Sequence, residues 1–201
     1  MYCSHFGRRT MSLLRWRAPL LLAIFLTLLT DAAGAQQDDL WSGVESGSLI
    51  VVMRHAKAPG IGDPDNFALG DCRTQRNLSA AGLAQAAGIG DRFRERGITR
   101  ARVFSSQWCR CRDTAEALTL GPVAELPALN SFFRDFSRED SQTRALRQWI
   151  TTQPQDRPLV LVTHQVNITA LTGVLPKSGE LIMVRVDASG AVTVAGRIPT
   201  D

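Results

Sequence analysis

Short apolar runs rich in β-branched residues recur along the chain and predict strands. Runs of this length, bounded by polar or turn-forming residues, are typical of strands buried in a sheet. The clear cases lie at 48–53, 101–105 and 158–162. Weaker patterns predict a short strand at 122–126 and a closing hairpin formed by 180–186 and 191–197.

Helices are predicted between these strands from residues that favour helix ends. Ser79 is a predicted N-cap, and its helix runs to about Arg96, where Gly97 stops it. Ser137 is the predicted N-cap of a helix through Ile150, with acidic residues in its first turn. Two further helices are predicted at about 106–120 and at 165–172.

Two segments lack these patterns. Residues 36–47 are polar and predict a short surface lead-in, while residues 58–77, rich in Gly, Pro, Asp and Asn, predict a long loop. The alternation of strands and helices predicts an α/β fold, a three-layer α/β/α sandwich with a mostly parallel sheet. The hairpin adds an antiparallel edge, so the sheet is mixed. Residues 36–201 are predicted to form a single domain.

Residues 1–35 have the pattern of a signal peptide. A basic segment at 8–17 precedes an apolar stretch at 19–29 that is too short to span a bilayer, and Ala33-Gly34-Ala35 forms a cleavage site. We therefore expect a periplasmic or secreted protein with no stable membrane anchor after cleavage. The alternative is an uncleaved segment that stays in the membrane.

The charge of the mature chain argues against nucleic acid as a partner. The whole sequence carries a net charge of +4, but the leader holds four arginines and one aspartate, which leaves +1 for residues 36–201. The chain also lacks a basic stretch interleaved with aromatic residues.

Three cysteines follow the leader: Cys72, Cys109 and Cys111. In an oxidising compartment an odd count predicts one disulfide and one spare thiol. The sequence leaves the pairing open: Cys72 bonds either to Cys109, with Cys111 as the spare thiol on the core face, or to Cys111. A metal site at Cys109 and Cys111 is disfavoured because no Cys/His cluster completes it.

The two histidines outside the leader each end a predicted strand. His55 follows Arg54 after the first strand, and His164 follows Thr163 after a later one. In open α/β folds, residues at the carboxyl ends of strands build the active site. Arg110 leaves the first turn of a predicted helix, where free N–H groups also favour an anion.

These motifs resemble the histidine phosphatase superfamily, which has the phosphoglycerate mutase-like fold. The resemblance rests on Arg54-His55, on the Ser-x-x-x-Arg-x-x-x-Thr-Ala pattern of 106–115 and on Thr163-His164, and it spans nearly all of the chain after the leader. It implies that His55 is the nucleophile that forms a phosphohistidine. It also implies that Arg54, Arg110 and His164 surround the phosphoryl oxygens and that no metal or other cofactor takes part.

The general acid is where the chain departs from this family. Many members carry a Glu in a Leu-Asn-Glu-like segment, where this chain has Ser131, and another branch has an acid at the position of Gln165. Asp135 is our first substitute, followed by Asp71 and Asp63. The competing interpretation of Asp135 is an ion pair with a neighbouring arginine. A third interpretation is that no strong acid exists and that good leaving groups are preferred.

Together these features predict an exported phosphatase that acts on a phosphorylated small molecule. The alternative from another class is a phosphate-binding module on the same fold that has lost turnover. A mutase is a weaker third interpretation. Arg73 and Arg76, in the loop at 58–77, are predicted to meet the anionic substrate.

Overall fold

The computed structural model describes residues 1–2 and 35–200. One compact unit spans Asp39–Asp201; of the other, Met1–Asp38, residues 1–2 and the helical residues 35–38 are described. The basic and apolar parts of the predicted signal peptide lie outside the described residues. Among the helices that are described, none is long and apolar enough to cross a membrane.

Helices and strands alternate along the described chain. In order, the elements are α1 (35–45), β1 (Ile50–Arg54), α2 (Ala80–Glu95), β2 (Arg102–Ser105), α3 (Cys109–Ala117), β3 (Val123–Glu125), α4 (Glu139–Thr151), β4 (Leu159–Thr163), α5 (Gln165–Thr172), β5 (Leu181–Val186) and β6 (Val192–Ile198). Short 3-10 turns lie at Cys72–Thr74, Pro127–Leu129 and Phe136–Arg138.

These strands form one mixed sheet in the order β3-β2-β4-β1-β5-β6. The first four of this order run parallel, and β5 and β6 add an antiparallel edge. Arg54 of β1 pairs with Thr163 of β4, so the residues that follow these two strands leave the sheet at the same edge. The predicted α/β fold with a mixed, mostly parallel sheet is confirmed.

The strands alternate their side chains between two apolar cores, one on each face of the sheet. Val51 and Met53 of β1 face the core covered by α1, α2 and α3, whereas Ile50 and Val52 face the core covered by α4 and α5. The predicted three layers follow from this period of two. Burial on both faces explains why β1 and β4 read as continuous apolar runs.

Two predicted features are wrong. Residues 36–47 are not a polar surface lead-in, because 35–45 are helical and Leu40, Trp41 and Val44 are buried in the core beneath β1. Ser137 does not cap α4. It lies inside the 3-10 turn at Phe136–Arg138, which Asp135 caps by accepting a hydrogen bond from the Ser137 N–H, and α4 begins only at Glu139.

The contact between α2 and α3 depends on a glycine. A Cβ added at Gly90 would lie 2.3 Å from the Leu118 carbonyl oxygen, whereas a Cβ at Gly88, in the same helix, would meet no heavy atom within 4 Å. We expect Gly90→Ala to lower the free energy of unfolding by about 1–3 kcal/mol. Gly88→Ala is the matched control and should raise it by about 0.5–1 kcal/mol. Urea denaturation measures both, and a shift of the same sign would contradict this account.

Candidate active site

The two strand-end histidines meet at one edge of the sheet. His55 follows β1 and His164 follows β4, and their ring centroids lie 5.6 Å apart with the rings nearly perpendicular. Both side chains are buried, with exposed fractions of 2% and 4%. The parallel register of β1 and β4 is what brings together two residues so distant in sequence.

His55 is held as a neutral imidazole. Its Nδ1 lies 2.8 Å from the Ala56 carbonyl oxygen, which only accepts hydrogen bonds. Nδ1 therefore carries the proton, and Nε2 keeps a free lone pair. Burial, followed by the positive charge of Arg110, lowers the pKa of His55 to about 3. A neutral ring with a free Nε2 is the form that a nucleophilic histidine requires.

His164 is oriented by hydrogen bonds at both ring nitrogens. A guanidinium only donates, so Nδ1 accepts from Arg110 at 3.4 Å, and Nε2 donates to the Ser106 hydroxyl at 2.9 Å. The Ser106 hydroxyl in turn donates to Asn130 Oδ1 at 3.3 Å. Burial and Arg110 lower the pKa of His164 well below its usual value. The ring is fixed in one tautomer beside His55.

Arg110 forms a buried ion pair with Asp63. Its two terminal nitrogens lie 2.6 Å and 3.2 Å from the two carboxylate oxygens, and the side chains are only 3% and 9% exposed. The Trp108 indole N–H and the Arg76 backbone N–H, each 3.0 Å away, also donate to Asp63.

Asp63 stays ionised in this setting. Burial raises its pKa, but the hydrogen bonds and charge of Arg110 outweigh burial and bring the pKa below its usual value. An ionised carboxylate that is committed to a guanidinium has no proton to donate. This result argues against Asp63 as the general acid.

Buried guanidinium nitrogens mark the cavity as an anion site. The Nε atoms of Arg54 and Arg110 are buried and have no hydrogen-bond partner among the described residues. Leaving a buried donor unpaired is costly, more so when it carries charge. Arg54 and Arg110 both line the cavity, and guanidinium groups there suit an anion with several oxygens, such as a phosphoryl group.

A cavity of about 460 Å³ joins these groups. Its inner end is formed by Arg54, His55, Arg110 and His164, and Asp63, Arg76 and Asp135 line its walls. Asp71 and Arg73 do not line it, because they pair with each other at the surface with a 2.9 Å contact. Of the acids considered in the sequence, the cavity therefore contains Asp63 and Asp135.

Asp135 also lines the cavity. Its Oδ1 accepts hydrogen bonds from the N–H and the hydroxyl of Ser137, and the side chain is exposed. Its neighbour Arg134 points elsewhere and donates to the backbone carbonyls of Asp63 and Pro64. The carboxylate is thus held within the cavity by a turn rather than by Arg134.

The disulfide joins Cys72 to Cys109, one of the pairings that the sequence leaves open, and Cys111 is a buried free thiol. The bond ties the loop at 58–77 to the first residue of α3, directly before Arg110. Burial raises the pKa of Cys111 to about 12, so it remains a thiol. Among the described residues there is no cluster of three or more His, Cys, Asp or Glu that could hold a metal ion.

Several site residues had no role assigned from the sequence. Ser106 and Asn130 orient His164, and Thr114 positions the turn after His55 by accepting a hydrogen bond from the Ala56 N–H at 3.0 Å. Ser106 and Thr114 belong to the sequence pattern at 106–115, and this pattern is the feature from which their roles could have been predicted. No sequence feature predicted the ion pair between Asp63 and Arg110.

The neutral state of His55 makes stability fall in acid. Its folded pKa of about 3 lies below the unfolded value of 6.5, so between these values only the unfolded chain binds the proton. The free energy of unfolding therefore falls as pH falls through this window, by up to about 1.4 kcal/mol per pH unit for this group. We expect a shallower slope for His55→Gln in denaturation series between about pH 6 and pH 4. A slope equal to that of the wild type would contradict this.

The sequence and the fold were compared with known proteins. The family model of the histidine phosphatase superfamily (branch 1) matches residues 50–137. No match was found among curated proteins.

Similar solved structures include a protein histidine phosphatase SixA bound to tungstate, with TM-score 0.55, 16% identity and coverage of 76% of this chain and 97% of that one. A putative phosphohistidine phosphatase SixA from Agrobacterium tumefaciens has TM-score 0.53, 18% identity and coverage of 77% and 99%. A mycobacterial glucosyl-3-phosphoglycerate phosphatase with inorganic phosphate has TM-score 0.52, 14% identity and coverage of 73% and 94%. At these identities the likeness to the solved structures is one of fold, and the similarity to the histidine phosphatase superfamily is the one that the family model finds over residues 50–137.

Proposed function

We propose that the protein is a phosphatase that hydrolyses a phosphorylated small molecule through a phosphohistidine on His55. The observation that carries the proposal is the neutral His55 ring, with its Nε2 free, at the inner end of a cavity that also contains Arg54 and Arg110. The family match and the phosphatase neighbours support phosphatase activity in general.

The proposed reaction has two steps. His55 Nε2 attacks phosphorus, the bond from phosphorus to the leaving oxygen breaks, and that oxygen takes a proton. Water then attacks the phosphohistidine, the P–N bond breaks, and phosphate leaves with neutral His55 restored. The loose transition state spreads negative charge over the phosphoryl oxygens, where fixed guanidinium groups stabilise it. Arg54, Arg110 and His164 supply this environment, and the proposed enzyme needs no metal.

Asp135 is the proposed general acid. It lines the same cavity as the guanidinium groups, and its side chain is exposed there. The remaining interpretation is that no acid takes part, which restricts the enzyme to good leaving groups.

A series of aryl phosphates graded by the pKa of the phenol tests both the activity and the acid. We expect the wild-type protein to hydrolyse all of them, and Asp135→Asn to lose about 10²-fold in kcat for the poorest leaving group but little for the best. Asparagine still caps the 3-10 turn, so folding is preserved. Asp156→Asn, an exposed change outside the cavity, is the matched control. Equal losses across the series would exclude Asp135 as the acid.

The same experiment separates the second candidate function. A binding module on this fold is favoured by one observation, the occupation of Arg110 by Asp63 where a phosphoryl group is expected. Such a module would bind inorganic phosphate, measured by calorimetry, but would hydrolyse none of the aryl phosphates. Hydrolysis of the best leaving group would exclude it.

We further propose that the protein is exported and works in the periplasm or outside the cell, as a single domain at 36–201. The disulfide between Cys72 and Cys109 supports an oxidising compartment. The small-molecule class is supported by the mycobacterial neighbour, whose name gives a phosphorylated sugar acid as its substrate. Mass spectrometry of the mature N-terminus tests the cleavage site after Ala35.

A further inference from the structure

The mouth of the cavity carries large apolar side chains that are open to solvent. Ile61 is 91% exposed and Phe133 is 46% exposed, and both line the cavity. Apolar and aromatic side chains that line a concave site are typical of ligand pockets.

The two sides of this mouth are held together. Arg134 donates to the backbone carbonyls of Asp63 and Pro64, which joins the segment around Phe133 to the long loop. A Cβ added at Gly62 would lie 3.9 Å from the Phe133 ring, so loop and ring are neighbours. The apolar mouth is therefore a defined surface rather than two separate exposed residues.

Aromatic rings continue from the mouth toward the reacting groups. Phe67 stacks on Trp108, with centroids 5.0 Å apart and an interplanar angle of 20°. Trp108 then meets His164 edge to face at 5.4 Å. Phe133 also packs on Phe136, with ring centroids 6.2 Å apart. A substrate whose phosphoryl group reaches His55 places its leaving group along these rings.

We infer that the substrate is a phosphate monoester of an apolar alcohol or phenol, whose aryl or alkyl group lies between Ile61 and Phe133. This inference rests on the proposed phosphatase activity and deepens it. Charged groups bind the phosphoryl end, and the apolar side chains of Ile61 and Phe133 contact the other end. Burying each added methylene is worth roughly fourfold in kcat/KM at best.

A series of 4-alkylphenyl phosphates from methyl to hexyl tests this inference, because the alkyl group changes apolar area while the pKa of the phenol stays nearly constant. We expect kcat/KM of the intact protein to rise at least about tenfold along the series. Ile61→Ser and Phe133→Ser should each reduce that ratio toward one. Leu175→Ser, an equally simple loss of an exposed apolar side chain outside the cavity, should leave the ratio unchanged.

The outcomes separate this inference from the function on which it rests. Hydrolysis of every member with no dependence on chain length would overturn the apolar substrate class and leave the phosphatase standing. Hydrolysis of none would overturn both. A dependence on chain length that both serine variants retain would place the apolar contact elsewhere and contradict the assignment to these walls. Ile61 is almost fully exposed, so its variant tests the contact without affecting the core.

Discussion

His55→Ala is expected to lower kcat for an aryl phosphate by at least about 10⁴-fold, since it removes the atom that attacks phosphorus. The wild-type protein, mixed with a phosphate ester labelled at phosphorus and quenched in alkaline denaturant, should carry the label on His55. The P–N bond survives these conditions, and peptide mapping locates it. The variant should carry no label.

The alanine variant must still fold and bind phosphate for this result to concern chemistry. Arg54, Arg110 and His164 remain in place, so inorganic phosphate should still raise the midpoint of thermal unfolding. Removing a buried ring leaves a small cavity but no unpaired charge, because His55 is neutral. Hydrolysis at the normal rate by a folded variant would exclude His55 as the nucleophile.

The strand ends are the part of the molecule that sequence predicts best. The apolar runs that become β1 and β4 are buried on both faces, and strands buried in this way are continuous apolar runs in the sequence. Once two strands are adjacent and parallel, the residues after them share an edge. That geometry, and not local sequence, places His55 beside His164.

The two wrong predictions, at 36–47 and at Ser137, show where rules based on local sequence fail. The first turn of α1 is polar at 36–39. The buried face of this helix is indicated only by the spacing of Leu40, Trp41 and Val44. Serine and aspartate are nearly equal N-caps, so a cap rule cannot rank Ser137 against Asp135 two residues earlier. In both cases tertiary packing decides between local options of similar free energy.

The contact of Asp63 with Arg110 is harder to predict from the sequence than either of these segments. The two residues are 47 positions apart, and Asp63 lies in a loop that has no periodic pattern. The disulfide and the hydrogen bonds of Arg76 to the Gly62 and Ala58 carbonyls hold that loop over the cavity. The conformation depends on these distant contacts, which composition does not encode.

Arg110→Met is expected to reduce both stability and activity, and a second substitution separates the two. The single change leaves the Asp63 carboxylate buried without its partner, which should lower the free energy of unfolding by about 3–5 kcal/mol. Asp63→Asn added to it removes the stranded charge and should restore more than half of that loss. The loss of kcat/KM, about 10³-fold, should remain in the double variant, because the guanidinium of residue 110 no longer faces the phosphoryl group.

The single variant Asp63→Asn completes this cycle and tests what the carboxylate does to an anion. Arg110 stays in place, while the negative charge that shares its terminal nitrogens is gone. Inorganic phosphate should therefore bind more tightly than to the wild-type protein, as measured by calorimetry at constant ionic strength. Weaker phosphate binding would mean that Asp63 chiefly holds Arg110 in its binding orientation.

Recovery of activity in the double variant would contradict a role for Arg110 in the reaction, since stability alone would then account for the loss in Arg110→Met.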